Sequence, residues 1–498
     1  MKPGQVYLVG AGPGDPGLVT LRAAEVLSRA DAVLYDYLAN PAILRHCRPG
    51  ATLVSLGKHG TGRVVSQDEI NRQLVALAEQ GQTVVRLKSG DPLVFARAAE
   101  ELAALASAQI PFEIVPGVTA ALAAASYAGI PITHRDSASA VALVTGREDG
   151  DKIDSALDWV ALARFPGTLV LYMGVTTVGH WSSGLIAAGK PPTTPVAILR
   201  RVSLPDQSRI DTTLAGVAEA VRAARLRPPV VFIIGEVATE GPAWSWFEQR
   251  PLFGQKVLVT RPAHQADDLA QPLVELGAEV LLQPAIEIRP LPPSASSDQV
   301  LDSLDRFEWL VFSSSNGVNH FFDRLTALGR DLRALGKVSL AAIGPGTAEA
   351  LARWHLKPDV VPAEYRAEAL ARSLAARAQG RRFLLIRASR GREVLAEELA
   401  SAGGIVEQLV VYESVDVEQA NAEIAAQLAA GRIDWTTVTS SAIARSLARL
   451  FGENLRRTKL ASISPITTAT LRELGHEPAA EAREYTMAGV AAAIRDAR

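Results

Sequence analysis

The sequence has very little cysteine. Cys47 is the only cysteine among 498 residues, which excludes internal disulfides and any metal site built from several cysteines. A chain without disulfides suits a reducing compartment. We therefore expect a cytoplasmic protein that carries no metal.

The chain also lacks an excess of charge of one sign and a long apolar run. Its net charge is −2, so we expect neither a nucleic acid nor a membrane as a partner, and an anionic substrate must be held by local arginine and lysine clusters. No stretch approaches the roughly 18 apolar residues of a membrane-spanning helix. Glycine follows Lys2 within a few residues, so we expect no signal peptide.

At 498 residues the chain is too long for one hydrophobic core. Short β-branched runs alternate with amphipathic stretches rich in Ala, Leu and Arg, which is typical of α/β domains with mostly parallel sheets. A turn-rich segment with exposed-looking aromatic residues, 241–254, divides this pattern into two halves. The strand candidates are 6–9, 32–35, 83–87, 112–115, 140–144, 168–172, 196–199 and 230–234, then 257–260, 309–312, 340–343, 383–386, 406–411, 436–439 and 460–463.

The first strand candidate ends in a loop rich in glycine and proline. Its four glycines, between residues 10 and 17, allow backbone to approach a ligand closely, as in a dinucleotide fingerprint. Pro13 and Pro16 each remove a backbone N–H, and Asp15 places negative charge where a phosphate needs positive potential. The loop alone leaves open a dinucleotide site, a site for another ligand, and a turn without a ligand.

Further motifs follow strand candidates, where open α/β sheets bind ligands. Each one alone is ordinary turn chemistry, but their order and spacing together are specific. They are Tyr-Asp-Tyr-Leu at 35–38, Gly-Lys-His-Gly at 57–60, Arg-Leu-Lys-Ser-Gly-Asp-Pro-Leu-Val-Phe at 86–95, Val-Pro-Gly-Val-Thr-Ala-Ala at 115–121 and Gly-Ile-Pro-Ile-Thr-His-Arg at 129–135.

This series closely resembles the tetrapyrrole methylases, and among them the uroporphyrinogen-III C-methyltransferases. The family shows Gly-Ala-Gly-Pro-Gly-Asp, Tyr-Asp, Gly-Lys, Arg-Leu-Lys-Gly-Gly-Asp-Pro, Val-Pro-Gly-(Val/Ile)-Thr-Ala, Pro-Leu-Thr-His-Arg and Tyr-Met-Gly, and this chain has their counterparts in order from Gly10 to Gly174. The resemblance covers about residues 4–240. It implies a two-lobed α/β fold distinct from the Rossmann methyltransferases (lobes about 1–115 and 116–243), S-adenosylmethionine as methyl donor, and a homodimer.

The resemblance also implies a set of site residues. Asp36 and Lys58 match the proton acceptor and the proton donor; the alternatives are a strand-end turn residue for Asp36, and a substrate-carboxylate ligand or a solvated cation for Lys58. Arg135 is expected to bind a substrate carboxylate or to act as a structural partner. The expected contacts of S-adenosylmethionine are Pro13, Ser89, Gly90, Asp91, Val94, Thr119, Ala120, Met173 and Val202.

The chain departs from the family pattern in several places. Ser89 stands for the first glycine of Gly-Gly-Asp, Arg147 for the histidine of Thr-Gly-His, and Val202 for a glycine near the adenosine. Residues 96–101 read Ala-Arg-Ala-Ala-Glu-Glu where the family has Gly-Arg-Gly-Gly-Glu-Glu. A valine does not fit a backbone that requires positive φ, so these changes bear on rate and on which pyrrole positions are methylated.

The second half offers hydroxyl groups at the ends of its strand candidates. Each one alone reads as a helix N-cap, whereas several facing one cleft form a nest of donors for carboxylates. The set resembles uroporphyrinogen-III synthase over about residues 254–498. The matching motifs are Val-Thr-Arg-Pro at 259–262, Phe-Ser-Ser-Ser-Asn-Gly at 312–317, Ala-Ile-Gly-Pro-Gly-Thr at 342–347, Leu-Ile-Arg at 385–387 with Gly391 and Arg392, and Val-Tyr-Glu-Ser at 411–414.

This second resemblance implies two α/β lobes on a two-stranded hinge. Lobe I is expected at about 254–290 plus 415–498 and lobe II at about 291–414, after a linker at 244–253. The implied reaction closes linear hydroxymethylbilane into uroporphyrinogen III. Tyr412 matches the family's tyrosine and is expected to assist departure of the hydroxyl; the alternative is an ordinary tyrosine of an amphipathic strand. The residues expected to grip substrate carboxylates are Ser314, Thr347, Ser440 and Thr468.

Together the two resemblances imply a bifunctional cytoplasmic enzyme. The second half makes uroporphyrinogen III, and the first half methylates it twice to precorrin-2, on the way to sirohaem or cobalamin. One alternative is a methylase of a later corrin intermediate joined to a synthase or to a non-catalytic tetrapyrrole-binding half. Another is a dinucleotide oxidoreductase, which the prolines and the missing acidic ribose-binding pattern disfavour.

Overall fold

The computed structural model describes residues 3–57, 65–147, 156–241, 243–391 and 393–498. These residues fall into two compact units. Unit 1 contains the chain up to Gln255 together with Leu273–Glu279, and unit 2 contains Lys256–Pro272 and Val280–Arg498.

Unit 1 begins with a parallel sheet and its helices. These elements are β1 (Val6–Gly10), α1 (Leu21–Leu27), β2 (Ala32–Tyr35), β3 (Thr52–Ser55), α2 (Gln67–Glu79), β4 (Val84–Lys88), α3 (Ala98–Ser107), β5 (Phe112–Val115) and α4 (Ala120–Ala128). The strand order is β3-β2-β4-β1-β5, with all neighbours parallel. Every residue of β1 and β4 is buried, as expected for central strands of a sheet covered on both faces.

A mixed sheet forms the second part of unit 1. Its elements are β6 (Val141–Thr145), α5 (Trp159–Ala163), β7 (Thr168–Tyr172), α6 (Val178–Ala187), β8 (Pro195–Arg200), β9 (Ser208–Thr213), α7 (Val217–Ala223) and β10 (Val230–Ile234). The order is β6-β7-β10-β8-β9, in which β6 and β7 are parallel and the other neighbours antiparallel. Because three of its four strand pairs are antiparallel, this sheet departs from the mostly parallel pattern predicted for the chain. Antiparallel strands can be joined by a short connection, as between β8 and β9.

Unit 2 contains two further sheets; of the elements that form them and their helices, only residues 273–275 and 279 belong to the 273–279 segment of unit 1. Its elements are β11 (Lys256–Val259), α8 (Asp267–Glu275), β12 (Glu279–Leu282), β13 (Ile286–Pro290), α9 (Ala295–Asp302), β14 (Trp309–Phe312), α10 (Ser315–Ala327), β15 (Ser339–Ala342), α11 (Pro345–Arg353), α12 (Ala367–Ala375), β16 (Arg382–Ala388), α13 (Val394–Ser401), β17 (Ile405–Asp416), α14 (Ala422–Ala429), β18 (Trp435–Val438), α15 (Ser441–Phe451), β19 (Lys459–Ser462), α16 (Pro465–Glu473), β20 (Ala480–Glu481) and α17 (Met487–Asp496). The strand orders are β12-β11-β18-β19-β20 in lobe I and β13-β17-β16-β14-β15 in lobe II.

A two-stranded ribbon joins the lobes of unit 2. β13 pairs antiparallel with the end of β17, from Ile286 opposite Asp416 to Pro290 opposite Tyr412. The rest of β17 runs parallel to β16 in the sheet of lobe II. Ile286 packs in the apolar core of lobe I, so the ribbon is anchored in both lobes.

The few aromatic residues concentrate in the cores. In lobe II, Phe312 of β14 packs against Phe321 and Phe322 of α10, with ring centroids 5.6 and 6.1 Å apart. In unit 1, Trp181 of α6 lies 5.2 Å from Phe232 of β10. These spacings are favourable for aromatic pairs. Within the described part of the chain, no helix combines the length and the apolar character needed to cross a bilayer.

The segment that we expected to be a linker, 244–253, packs on unit 1. Phe247 is buried, and its ring centroid lies 4.7 Å from that of Tyr127. Trp246 stays half-exposed, with its Nε1–H donating to the carbonyl of Ser126 at 2.9 Å. The expectation of exposed aromatic residues is therefore right for Trp246 and wrong for Phe247, whose side chain fills apolar space beside α4.

We expect Phe247→Ala to lower the free energy of unfolding of unit 1 by about 3–5 kcal/mol, because it removes a fully buried ring. Urea unfolding of the full chain, followed by tryptophan fluorescence, measures this loss. Leu21→Ala is the control: Leu21 is 92% exposed, and its truncation should change the free energy by less than about 0.5 kcal/mol. Equal effects of the two substitutions would contradict the packing of the segment.

Candidate active sites

The loops after β1, β4 and β5 meet at one edge of the first sheet, because these strands are parallel neighbours. Gly10, Gly90 and Gly117 lie at the contact. A Cβ on Gly117 would stand 2.3 Å from the carbonyl oxygen of Gly90 and 2.7 Å from the Cα of Gly10. Glycine at positions 10 and 117 therefore allows these backbones to pack so closely, and Gly90 adopts a φ of 68°, which favours glycine. We call this contact the glycine junction.

Hydrogen bonds hold the glycine junction together. Gly12 and Gly90 donate to each other's carbonyls, at 3.2 and 2.8 Å. The carboxylate of Asp91 accepts a hydrogen bond from the N–H of Gly117 at 3.1 Å, which ties the loop after β4 to the loop after β5. Asp91, a predicted cofactor contact, thus has an observed role in fixing these loops.

Tyr172, the last residue of β7, contacts residues at or next to the predicted cofactor-binding positions. Its hydroxyl lies 2.7 Å from Thr119 Oγ1 and accepts a hydrogen bond from the N–H of Ala121 at 2.8 Å, in the first turn of α4. Its ring centroid lies 5.0 Å from that of Phe95, beside Val94. Met173 follows, with a φ of 55° and a side chain that is 45% exposed. Tyr172 therefore contacts Thr119 directly and lies next in sequence to Met173, while its other contacts, Ala121 and Phe95, neighbour the predicted positions Ala120 and Val94.

Asp15 connects the glycine-rich loop to the second sheet. Its Oδ1 caps the short 3₁₀ turn that follows, and its Oδ2 accepts a hydrogen bond from the Tyr127 hydroxyl at 2.7 Å. Its N–H donates to Ser203 Oγ at 3.0 Å, so the loop with Pro13 is fixed beside Val202. Burial and the bond to Asp15 raise the pKa of Tyr127. Both carboxylate oxygens of Asp15 are therefore bonded within the protein.

Val202 stands where the family has a glycine, yet its backbone is not left-handed. The positive φ angles fall on its neighbours, 50° at Arg201 and 62° at Ser203. The N–H of Ser203 donates to Gln207 Oε1 at 2.9 Å, which holds the turn. The conflict expected for a valine with positive φ does not arise.

Of the predicted proton-transfer pair, Asp36 is described and Lys58 lies outside the described residues. Asp36 follows β2, the neighbour of β4, so it shares the sheet edge of the glycine junction. Its Oδ1 accepts a hydrogen bond from Arg86 Nη2 at 2.5 Å. Arg135 is exposed in a turn closed by the bridge between His134 and Ala138, and its predicted role in carboxylate binding stays a prediction.

Arg86 and Glu101 received no role from the sequence. Arg86 Nε donates to Glu101 Oε1 at 3.0 Å, and Lys88 Nζ donates to Glu101 Oε2 at 2.8 Å. All three side chains are buried, and burial lowers the pKa of Lys88. The signal was present in the sequence, because two cations interrupt the otherwise apolar strand β4 and such residues are rarely buried unless paired.

In lobe II the structure brings Tyr412 and Ser314 together, with their hydroxyls 3.0 Å apart. The pairing of β16 with β17 shifts register between Arg387 and Ala388, opposite Tyr412, and such bulges re-aim side chains. The ring of His320 stacks 5.5 Å from that of Tyr412. Burial raises the pKa of Tyr412 and lowers the pKa of His320, so at pH 7 the tyrosine is protonated and the histidine neutral.

Arg261, at the end of β11 in lobe I, is a largely buried cation, with its side chain 13% exposed, and it received no role in the sequence analysis. Its guanidinium contacts Met487 Sδ and donates to Gln265 Oε1 at 3.2 Å; Gln265 in turn donates to Asn316 of lobe II. Its ion pair with the exposed Asp268 is long, at 3.7 Å, and burial lowers the pKa of Arg261. A largely buried guanidinium with such weak ion pairing is suited to bind an anion.

The other hydroxyls predicted to bind substrate are placed at separate helix starts. Ser440 caps α15, and Thr347 is buried in the first turn of α11. Thr468 is buried in α16, 2.7 Å from Ser462 Oγ, and donates to Glu481. Of the three, only Ser440 makes the contact of the N-capping alternative, by accepting a hydrogen bond from the N–H of Ile443 at 3.2 Å. The role of all three in substrate binding stays a prediction.

Two protein families match successive parts of the chain. The tetrapyrrole (corrin/porphyrin) methylases match residues 5–218, which contain the glycine junction and Tyr172. Uroporphyrinogen-III synthase HemD matches residues 267–492, which contain Tyr412 and Ser314.

Curated relatives match either nearly the whole chain or a part of it. A porphyrin biosynthesis protein HemD from Ruminiclostridium josui is 33% identical over 495 residues, 99% of this chain and 96% of the relative. A uroporphyrinogen-III C-methyltransferase from Bacillus subtilis is 39% identical over 343 residues, 69% of this chain and 70% of the relative. An S-adenosyl-L-methionine-dependent uroporphyrinogen III methyltransferase from Methanosarcina barkeri is 44% identical over 234 residues, 47% of this chain and 92% of the relative.

Fold, sites and relatives together define an α/β enzyme in which a methylase precedes a synthase, as the motifs predicted. The chain belongs to the tetrapyrrole methylase family in its first half and to the uroporphyrinogen-III synthase family in its second half. The two-lobed α/β architecture predicted for each half is confirmed by the four sheets of the described residues.

We expect Gly117→Ala to destabilise unit 1 by about 1–3 kcal/mol, because overpacking the glycine junction forces backbone shifts. Gly179→Ala is the control: its added Cβ has no neighbour within 4 Å in α6, so it should be neutral or stabilising by up to about 1 kcal/mol. Thermal unfolding of the full chain compares the two. A Gly117→Ala protein as stable as Gly179→Ala would contradict the close approach of the three loops.

Proposed function

We propose that this chain is a bifunctional enzyme of tetrapyrrole biosynthesis. Its second half cyclises hydroxymethylbilane to uroporphyrinogen III, and its first half methylates that product twice to precorrin-2, which feeds sirohaem or cobalamin. The observation that carries the proposal is the contact of Tyr172 with Thr119 and with the first turn of α4, which brings predicted cofactor positions of the loop after β5 close to Met173 at the end of β7. The full-length relative from Ruminiclostridium josui supports the union of both halves in one chain.

The gathered positions fit S-adenosylmethionine, the donor named for the Methanosarcina barkeri relative. None of them is a cation, which suits a sulfonium ion better than a phosphate. The glycine junction is a cradle that a Cβ would fill, and Met173 presents an exposed side chain on left-handed backbone, as strained functional residues do. Pro13, Gly90, Thr119 and Val202 would hold the rest. When bound, S-adenosylmethionine supplies an electrophilic methyl group to a pyrrole carbon.

Pyrrole carbons of a porphyrinogen are enamine-like nucleophiles, so the protein has to align the reactants and remove a proton. We infer that Asp36 accepts the proton that the methylated ring releases. Oδ2 is the oxygen for this transfer, since Oδ1 is held by Arg86. Lys58 is proposed as the proton donor or as a ligand of a substrate carboxylate, and Arg135 as a second carboxylate ligand.

For the synthase, we propose that the Tyr412 hydroxyl donates its proton to the hydroxyl group that leaves hydroxymethylbilane. The C–O bond breaks and water departs; the pyrrole carbon that closes the ring loses a proton, which replaces the one given by Tyr412. Ser314, 3.0 Å away, orients the tyrosine hydroxyl. Arg261 is proposed to bind an acetate or propionate group of the substrate, together with Ser440, Thr347 and Thr468.

We also propose that the methylase half covers 1–243, the linker 244–253 and the synthase half 254–498. The enzyme is proposed to act in the cytoplasm as a homodimer formed through the methylase half. Leu21, Leu93 and Leu122 of unit 1 are each more than half exposed, and exposed apolar residues of this kind support a partner surface.

The proposed function is tested by supplying hydroxymethylbilane and labelled S-adenosylmethionine to the purified chain and identifying products by mass and isomer. We expect uroporphyrinogen III in excess over the spontaneous isomer I, followed by a product with two methyl groups. No rise of isomer III over the enzyme-free reaction would refute the synthase activity. Absence of a dimethylated product from isomer III would refute the proposed methylation.

We expect Tyr412→Phe to lower the synthase kcat by about 100-fold, because a general acid is removed. Burial raises the pKa of Tyr412, so the wild-type proton donor should remain competent up to the ordinary tyrosine pKa of about 10. Isomer III formation between pH 7 and 10, about the range below that pKa, measures both effects. Tyr485→Phe, on an exposed tyrosine, is the control with wild-type activity expected. A Tyr412→Phe enzyme with wild-type kcat would exclude this tyrosine as the donor.

A further inference from the structure

Four charged side chains of unit 1 form a continuous ion-pair chain, Asp36–Arg86–Glu101–Lys88. The Arg86 guanidinium bridges two carboxylates, with donor–acceptor distances of 2.5 Å to Asp36 Oδ1 and 3.0 Å to Glu101 Oε1. Lys88 Nζ donates to the other Glu101 oxygen at 2.8 Å. The two positive and two negative charges balance within this ion-pair chain.

Exposure decreases from one end of this ion-pair chain to the other. The side chain of Asp36 is 32% exposed, that of Arg86 3%, that of Lys88 2% and that of Glu101 0%. Asp36 is thus the member of the four that reaches solvent, and it does so at the sheet edge where the glycine junction lies. The buried part of the ion-pair chain therefore ends at Asp36, the residue proposed to accept a proton.

The buried charges also restrict how Arg86 can be placed. A buried carboxylate without partners is strongly destabilising, and Glu101 is satisfied by Arg86, by Lys88 and by Gln67 Nε2 at 3.2 Å. Arg86 cannot turn away without leaving Glu101 underpaired in a dry interior. Its rigid guanidinium fork therefore presents Nη2 to Asp36 in one orientation.

We propose that Arg86 is a positioning residue for the methylation: anchored on Glu101, it occupies Oδ1 of Asp36 and fixes the carboxylate so that Oδ2 is left to the substrate. This inference rests on the proposed methylase function. It assigns Glu101 and Lys88 to the support of Arg86, with no contact to the substrate.

A double-mutant cycle on the full-length enzyme tests the inference. Methyl transfer to uroporphyrinogen III is measured for the wild type, Asp36→Asn, Arg86→Gln and the double variant. Each single substitution should lower kcat by about 100-fold, the cost of a misplaced catalytic group, with the KM for S-adenosylmethionine changed by less than about twofold. In the Asp36→Asn background, Arg86→Gln should lower kcat by less than about threefold more, because Arg86 acts through Asp36.

Arg22→Gln is the matched control. Arg22 also bridges two carboxylates, Glu25 at 2.9 Å and Glu113 at 2.7 Å, but on the surface, so its kcat should equal that of the wild type. Two results overturn the inference: a loss in the double variant equal to the product of the two single losses, or a wild-type kcat in Arg86→Gln. A wild type that transfers no methyl group refutes the proposed function instead.

If Arg86→Gln does not fold, Arg86→Lys tests the positioning role of Arg86. Lysine keeps the positive charge against Glu101 but cannot bridge two carboxylates as a planar fork. We expect a folded protein with kcat lowered by about tenfold and no further loss in the Asp36→Asn background. A wild-type kcat in Arg86→Lys, or an equal loss in both backgrounds, overturns the inference.

Discussion

The geometry of unit 1 depends on the close approach of Gly10, Gly90 and Gly117. Because their strands are parallel neighbours, the three loops leave the sheet side by side, and glycine lets them touch through backbone alone. At that contact Gly12 and Gly90 exchange hydrogen bonds. The loop after β5 leads into α4, where the N–H of Ala121 donates to the hydroxyl of Tyr172 at the end of β7. The glycine junction and the second sheet of the unit are thus linked through the start of α4.

Much of the fold was predictable because its central strands are buried on both faces. Their β-branched runs, as in β1 and β10, stand out against amphipathic neighbours. Edge strands carry no such signal: the residues of β3 and β9 are mostly exposed or partly exposed, and β9 is polar, so neither was predicted. The sequence also did not predict the antiparallel pairing of β8 with β9, which are joined by a hairpin and not by a crossover helix.

The candidate sites were predictable where one residue type is required by backbone geometry, as at Gly90 and Gly117, or by a family motif, as at Tyr412. They were not predictable where function depends on which charges meet. Arg86 lies in β4 and Glu101 in α3, and only the packing of that helix on the sheet pairs them. Conversely, Thr468 has the local sequence pattern of a ligand-binding hydroxyl, and only the structure shows that it bonds to Ser462 and Glu481.

The ribbon of unit 2 carries a catalytic candidate on its own strands. Tyr412 pairs with Pro290 in the ribbon, while its hydroxyl is bonded to Ser314 of lobe II. If the lobes swing about this ribbon, Tyr412 and Ser314 travel together as one rigid group, whereas Arg261 travels with lobe I. In that case, opening moves the proposed acid, Tyr412, away from the proposed carboxylate ligand, Arg261, and breaks the hydrogen bond from Gln265 to Asn316 that links the two lobes.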